Sequence, residues 1–369
     1  MEAIETAEVL VSDVTLREGN QRPGKSYSVA QKVRAGRALD RLGVDYIQAG
    51  FPIAGKTDKQ AITELGEDVS ADVVGLARAK PGDVEAASAA ETDAVDIIIP
   101  ASKKLLKHML GKPRGRAWEM TEEAVSVAQD QGLEVHLTLV DAFRADPDVV
   151  RVAFDRFPNV SYITLADTVG ARTPTAIHSV LRDLRGDIEF SRLGVHFHDD
   201  MGVATANALV AAKAGATKID VSVASIGERA GNTALEEFVV AGRTSAEVNF
   251  ALDSSKLIPE CRDVLDALEE SVSAEKSILG SDVFAHESGL HTATMLDDPS
   301  TFEPFDPELF GGNRILLFGD GTGRTAARRL LAYCDIEPTD NVVTEYLDLL
   351  SERGPVELDD ALNIAKEHL

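Results

Sequence analysis

Tyr162-Ile163-Thr164-Leu165-Ala166 is a short, mostly apolar run. A helix-like stretch follows at residues 174–184, and then a second run, Leu193-Gly194-Val195-His196-Phe197. A short run, an amphipathic stretch and another short run form the pattern of a β-α-β unit. The runs are apolar at nearly every position, not every second one, which implies strands buried on both faces in a parallel sheet. Working outward, the pattern recurs. Similar runs lie at residues 9–16, 44–51, 73–77, 94–100 and 133–140 before this unit, and at 218–223 after it. Ala- and charge-rich stretches such as 28–42, 120–131 and 205–214 fill the gaps. Eight such units in roughly 240 residues predict a (β/α)8 TIM barrel, with a doubly wound open sheet as the competing α/β fold.

After the eighth run the pattern changes. Residues 250–279 and 324–369 read as mostly helical, separated by a polar, His- and Pro-rich piece at 284–307. The expected organisation is a catalytic barrel over residues 1–243 and a smaller, mostly helical C-terminal region over 244–369.

Composition narrows the function. Of 369 residues, 44% are apolar, enough for a large core. Asp and Glu number 62 against 37 Lys and Arg, a net charge of −25. Such a surface repels phosphate backbones and anionic lipid, so nucleic acid and membrane partners are not expected. No apolar run approaches the roughly 20 residues of a membrane span, and the first residues lack the basic start and apolar stretch of a signal peptide. Two cysteines, Cys261 and Cys334, support neither a disulfide framework nor a thiolate zinc site. These features point to a cytoplasmic protein. Self-repulsion at this charge is relieved by high salt, so a halophilic host is expected.

In a barrel of this kind, chemistry sits at the C-terminal ends of the strands. His196 and His198 are two apart on run seven, so both point to one face. Two imidazoles and one carboxylate leave open positions on a metal. Glu18, at the end of run one, can supply the carboxylate, because only strand eight lies between strands seven and one. A pair of strand histidines alone is equally a core feature. The Arg17-Glu18 and Gly231-Asn232 pairs at matching strand ends favour a site.

Several motifs in order then resemble a known family. They are Asp13-Val14-Thr15-Leu16-Arg17-Glu18-Gly19-Asn20-Gln21, Gln48-Ala49-Gly50-Phe51-Pro52, Ala166-Asp167-Thr168-Val169-Gly170, His196-Phe197-His198-Asp199-Asp200, Gly227-Glu228-Arg229-Ala230-Gly231-Asn232 and Phe284-Ala285-His286-Glu287-Ser288-Gly289-Leu290-His291. The chain resembles the acyl-CoA-condensing branch of the DRE-TIM metallolyases, which comprises 2-isopropylmalate, homocitrate and citramalate synthases. The resemblance implies a divalent metal (magnesium, manganese, zinc or cobalt) held by Glu18, His196, His198 and Asn232. It implies a Claisen-type condensation of acetyl-CoA, as co-substrate, with a 2-oxo acid, in amino-acid biosynthesis. Arg17 would act in catalysis and bind substrate, with Gln21 and Thr168 as further substrate contacts. His291 would complete the site from the partner subunit of a homodimer. A metal-dependent carbon–carbon lyase on the same barrel, or a catalytically impaired binding subunit, is the alternative.

Some positions depart from the family pattern. Val140 stands where the family has a Glu, leaving Asp141 as the acidic catalytic candidate on that strand. His136 aligns with the arginine that grips a distal carboxylate in homocitrate-type members, and is the candidate substrate contact there. Leu105 replaces a substrate-contacting His, and Phe302 replaces a Tyr. Val140 and Leu105 make the pocket more apolar, favouring a branched aliphatic 2-oxo acid of the isopropylmalate type and so leucine biosynthesis. Glu18, where isopropylmalate synthases usually have Asp, tilts the other way. No feedback inhibition through a C-terminal regulatory domain is expected. Lys103, Lys104, Lys107, Lys112 and Arg114 form a basic run that meets the phosphates of CoA or is a solvated helix face.

Overall fold

The computed structural model describes residues 7–244 and 248–369. Eight parallel strands close into a barrel in sequence order. They are β1 (Leu10–Asp13), β2 (Tyr46–Gly50), β3 (Asp72–Arg78), β4 (Ala94–Pro100), β5 (Glu134–Val140), β6 (Tyr162–Asp167), β7 (Leu193–Phe197) and β8 (Lys218–Val221). The barrel closes where β1 pairs with β8, Val11 beside Ile219 and Ser12 beside Asp220. Outside it run α1 (Val29–Leu42), α2 (Lys56–Asp68), α3 (Pro81–Ser88), α4 (Arg114–Asp130), α5 (Pro147–Arg156), α6 (Pro174–Leu184), α7 (Ala204–Lys213), α8 (Leu235–Thr244) and α9 (Leu257–Leu268). The (β/α)8 expectation is therefore met, and the open sheet is excluded.

Local chemistry sets the element ends. Ser28 opens α1 with a reciprocal capping box with Gln31. Pro147 and Pro174 occupy the first positions of α5 and α6, where a missing N–H costs nothing. The run at residues 9–16 is a strand only to Asp13. Its carboxylate accepts from the Thr15 amide and hydroxyl, each at 2.9 Å, and turns the chain out of the sheet. Residues 15–18 then wind into a helical turn that buries Leu16 and Glu18.

The barrel interior is layered. At the N-terminal end the His136 ring stands edge-on to Tyr46 and Tyr162, with centroids 4.9 and 5.2 Å away. Its Nε2 lies 3.0 Å from Glu134 Oε1. One layer up, Asp96 accepts from Thr138 Oγ1 at 2.8 Å and from Gln48 Nε2 at 2.9 Å.

The chain forms two compact units, Met1–Ser271 and Val272–Leu369. The division falls later than the boundary after Arg243 read from the sequence. The reason is that α9 buries Leu257, Ile258, Cys261, Val264 and Leu265 and packs against α1. Arg41 pairs with Glu260 at 2.6 Å across that contact. The second unit has α10 (Gly289–Met295), α11 (Arg324–Tyr333), α12 (Asp340–Arg353) and α13 (Leu358–His368). They enclose a core that includes Phe318, Leu330, Leu331, Tyr346 and Leu350. A small three-stranded sheet, Ala285–His286, Ile315–Phe318 and Val356–Glu357, is also present; the sequence reading missed it because its strands are only two to four residues long. Among the described residues no helix is long and apolar enough to cross a membrane.

Candidate active site

Glu18, His196 and His198 meet at the C-terminal rim of the barrel. All three are buried, and one ligand atom from each lies within 4.8 Å of the other two. His196 Nε2 is 3.7 Å from Glu18 Oε1 and 3.3 Å from His198 Nε2. The alternation of β7 turns both rings the same way, and the helical turn after Asp13 delivers Glu18 from β1. Arg17 hydrogen-bonds Gln48 and forms an ion pair with Glu18 itself.

The electrostatics favour lone pairs over protons. Burial alone would raise the Glu18 carboxyl, but Arg17 and the two imidazoles outweigh it and hold it below the usual carboxylate range. His198 is pushed down to about 3, by burial first and then by His196. At neutral pH its ring is therefore uncharged. His196 Nδ1 lies 3.2 Å from Asp220 Oδ2, which leaves Nε2 facing the cluster. Asp220 is in turn gripped by Lys218 at 2.6 Å. Burial would raise Asp220, and Lys218 and His196 reverse this to well below the carboxylate range.

Asn232 sits beside the cluster, with Nδ2 3.2 Å from His196 Nε2. Its backbone bridges to His198. A turn with left-handed Ala224, Ser225 and Arg229 brings it there. A Cβ on Gly227 would fall 1.8 Å from Asn232 Oδ1, so a side chain there would displace the Asn232 amide. Glu18 Oε2 and Asn232 Oδ1 are buried without a hydrogen-bond partner. Buried acceptors are ordinarily satisfied. Two converging imidazoles, a carboxylate and orphaned oxygens on Glu18 and Asn232 fit a divalent cation.

A cavity of about 350 Å³ opens onto the cluster. Arg17, Gln21, Thr168 and the cluster form its polar end. Leu76, Ile98, Leu105, Met109, Val140 and Ala166 form its apolar wall, and Asp96, Thr138, Asp220 and Glu228 also line it. The Thr168 hydroxyl accepts from the Asp141 amide at 2.8 Å, so its own proton remains to donate.

The structure thus brings Arg17, Glu18, Gln21, Thr168, His196 and His198 to one cavity, with Asn232 alongside. Two candidates of the barrel lie elsewhere. His136 belongs to the tyrosine layer at the opposite end of the barrel and does not line the cavity, because its position on β5 is two residues below Thr138 and four below Val140. Asp141 does not line it either. Its left-handed backbone turns the carboxylate away, and Arg144 binds both oxygens at 2.6 and 2.8 Å. His291 is on α10 of the second unit, stacked on Phe302 with centroids 4.0 Å apart. Sequence reasoning passed over Asp96, Lys218 and Asp220. The available signal was a charge placed within an otherwise apolar strand.

A parallel (β/α)8 barrel carrying two histidines and a carboxylate at its rim defines a class of metal-site barrel enzymes. HMGL-like sequences match residues 8–264, and a homocitrate synthase post-HMGL domain-like segment matches residues 278–354. The chain is 36% identical over 350 residues to the homocitrate synthase AksA of Methanopyrus kandleri, covering 94% of this chain and 88% of that protein. It is 35% identical over 349 residues to a protein of the same organism described as a probable 2-isopropylmalate synthase, covering 94% of this chain and 70% of that one. The barrel also superposes on the HMG-CoA lyase of Bacillus subtilis with a TM-score of 0.65, at 20% identity over 72% of this chain and 95% of that one, a likeness of fold. The chain belongs to the HMGL-like family, in the acyl-CoA-condensing branch of the DRE-TIM metallolyases, and is a condensing enzyme of acyltransferase type.

Proposed function

We propose that a base removes a proton from the methyl group of acetyl-CoA, that the resulting enolate attacks the keto carbon of a 2-oxo acid while the keto oxygen takes up a proton, and that water then cleaves the thioester to release CoA. A divalent ion held by Glu18, His196, His198 and Asn232 would supply Lewis-acid polarisation of the keto group. The protein's own residues bind and orient. Arg17, permanently charged and fixed by Gln48 and Glu18, faces the position where negative charge develops on the keto oxygen. Thr168 donates to the substrate carboxylate, since its oxygen already accepts from Asp141. Asp220 keeps the proton of His196 on Nδ1. Mixed nitrogen and oxygen ligands suit magnesium, manganese, zinc or cobalt.

The observation that carries the substrate class is the lining beyond the cluster. Leu105, Met109, Ile98 and Val140 present no cation to a distal carboxylate. Burying an unpaired carboxylate is costly, so an aliphatic side chain fits and an isopropylmalate-type condensation follows. The relatives' names do not favour this reading over the homocitrate type, and Glu18 after Arg17 supports a dicarboxylic 2-oxo acid. Thiol release from acetyl-CoA with 3-methyl-2-oxobutanoate, pyruvate and 2-oxoglutarate decides. Turnover highest with the branched acid is expected. Turnover only with 2-oxoglutarate transfers the assignment to the homocitrate type.

A homodimer in which His291 reaches the pocket of a second copy completes this reading, supported by the motif around His291. Mixed Arg17→Ala and His291→Ala chains should recover activity that neither shows alone.

A further inference from the structure

The segment after β4 departs from the charge of the rest of the molecule. Residues 97–118 carry six lysines and arginines and no Asp or Glu, in a chain with 62 acids and 37 bases. Ser102 caps a short helical turn, Lys103–Leu105, which continues as a π-helical turn, Leu106–Leu110. π-turns are uncommon and collect at functional sites. The turn divides its side chains. Leu105 and Met109, one turn apart, line the active-site cavity, and Met109 is 52% exposed at its mouth. Lys103, Lys104 and Lys107 face solvent.

These lysines are free. Arg116 at the end of the segment pairs with Glu119 and Glu123. Arg114 is committed to the Pro100 and Ala101 carbonyls and to the Trp118 ring, and so anchors the segment to β4. Among the described residues none of Lys103, Lys104, Lys107 and Lys112 has a carboxylate partner. Lys103 and Lys104 also line a second cavity of about 410 Å³, with Arg144 and Asp146 on its other side. Asp141 in that wall has both oxygens taken by Arg144, and Asp146 caps α5 through the Asp148 amide.

A cluster of unpaired cations beside the mouth of a half-apolar cavity needs an anionic ligand with an apolar arm. We propose that Lys103 and Lys104 bind the phosphates of the nucleotide end of acyl-CoA, while Leu105 and Met109 guide its pantetheine arm into the active-site cavity. The acyl-CoA reading of the site underlies this assignment. It makes the 103–110 turn the determinant of thioester recognition, separate from the residues that bind the 2-oxo acid.

The test is the double substitution Lys103→Glu, Lys104→Glu in the full chain, with Lys366→Glu on α13 as the charge control. At about 0.1 M KCl the double variant should show KM for acetyl-CoA raised about tenfold, with KM for the 2-oxo acid and kcat within about twofold. The S-acetyl thioester of N-acetylcysteamine, which lacks phosphates, should react equally with both proteins. Binding of CoA alone, by calorimetry, should weaken in parallel, and this readout stands even if no 2-oxo acid is turned over. Unchanged CoA affinity in the double variant overturns the proposal. CoA that binds neither protein overturns the acyl-CoA reading as well. Unchanged thermal unfolding of the exposed-site variant separates either result from misfolding.

Discussion

Asp220 Oδ2 stands 3.2 Å from His196 Nδ1, inside the barrel and on the side of the ring away from Glu18. A buried carboxylate in that place fixes both the tautomer and the tilt of the imidazole. Lys218, itself buried, keeps the carboxylate charged.

Asp220→Asn should therefore weaken divalent-metal binding about 10- to 100-fold with little change in fold. Calorimetric titration of manganese or zinc into the metal-free protein measures this. An unchanged dissociation constant would show that Asp220 does not orient His196.

His198→Ala should abolish the thermal stabilisation that a divalent cation gives the native protein. At a cation concentration 100 times the dissociation constant that stabilisation is about 2.7 kcal/mol. His178→Ala, on the exposed face of α6, should retain it. Differential scanning with and without chelator provides the comparison.

His136→Ala should behave as a core mutation. Its ring fills the space between Tyr46 and Tyr162, so a loss of about 2–4 kcal/mol of stability is expected. KM for the 2-oxo acid should move less than about twofold. A large rise in KM with normal stability would restore His136 to the substrate site.

Asp13 is fully buried, and burial pushes its carboxyl up to about 7 against the Thr15 hydrogen bonds. Its raised folded-state value means that its contribution is fully present below about pH 4 and is lost as pH rises through 7. Over that window the group costs up to about 4 kcal/mol. Urea unfolding at several pH values should show Asp13→Asn gaining on the native protein between about pH 4 and 7. A constant difference would mean that Asp13 is ionised throughout.

Net charge sets the fifth expectation. At −25 the native fold repels itself, and about 1 M KCl shortens the Debye length to ~3 Å. Melting temperature should rise markedly between low and molar KCl. No rise would remove the case for salt adaptation.

Much of this was legible in the sequence because it depends on short-range periodicity. Eight apolar runs could only be strands buried on both sides, and the two-residue spacing of His196 and His198 put them on one face. What stayed hidden depends on closure and on height within the barrel. Asp96, Gln48 and Thr138 are distant in sequence and meet only when β2, β4 and β5 are curled together. His136 and Val140 share a face of β5, yet one lies in the tyrosine layer and the other in the cavity wall. No pattern in the run gives that depth. The orientation of Asp141 was hidden for a different reason: its backbone is left-handed, which turns its side chain toward Arg144.

The His136, Tyr46 and Tyr162 rings shut the lower end of the barrel, so the cavity above them is a cul-de-sac. Whatever is made there must back out through the same doorway that admits the next reactant. Departing product and incoming 2-oxo acid thus queue for one passage. The traffic is governed by the loops of the rim, which leaves them free to change preference while the stopper beneath stays as it is.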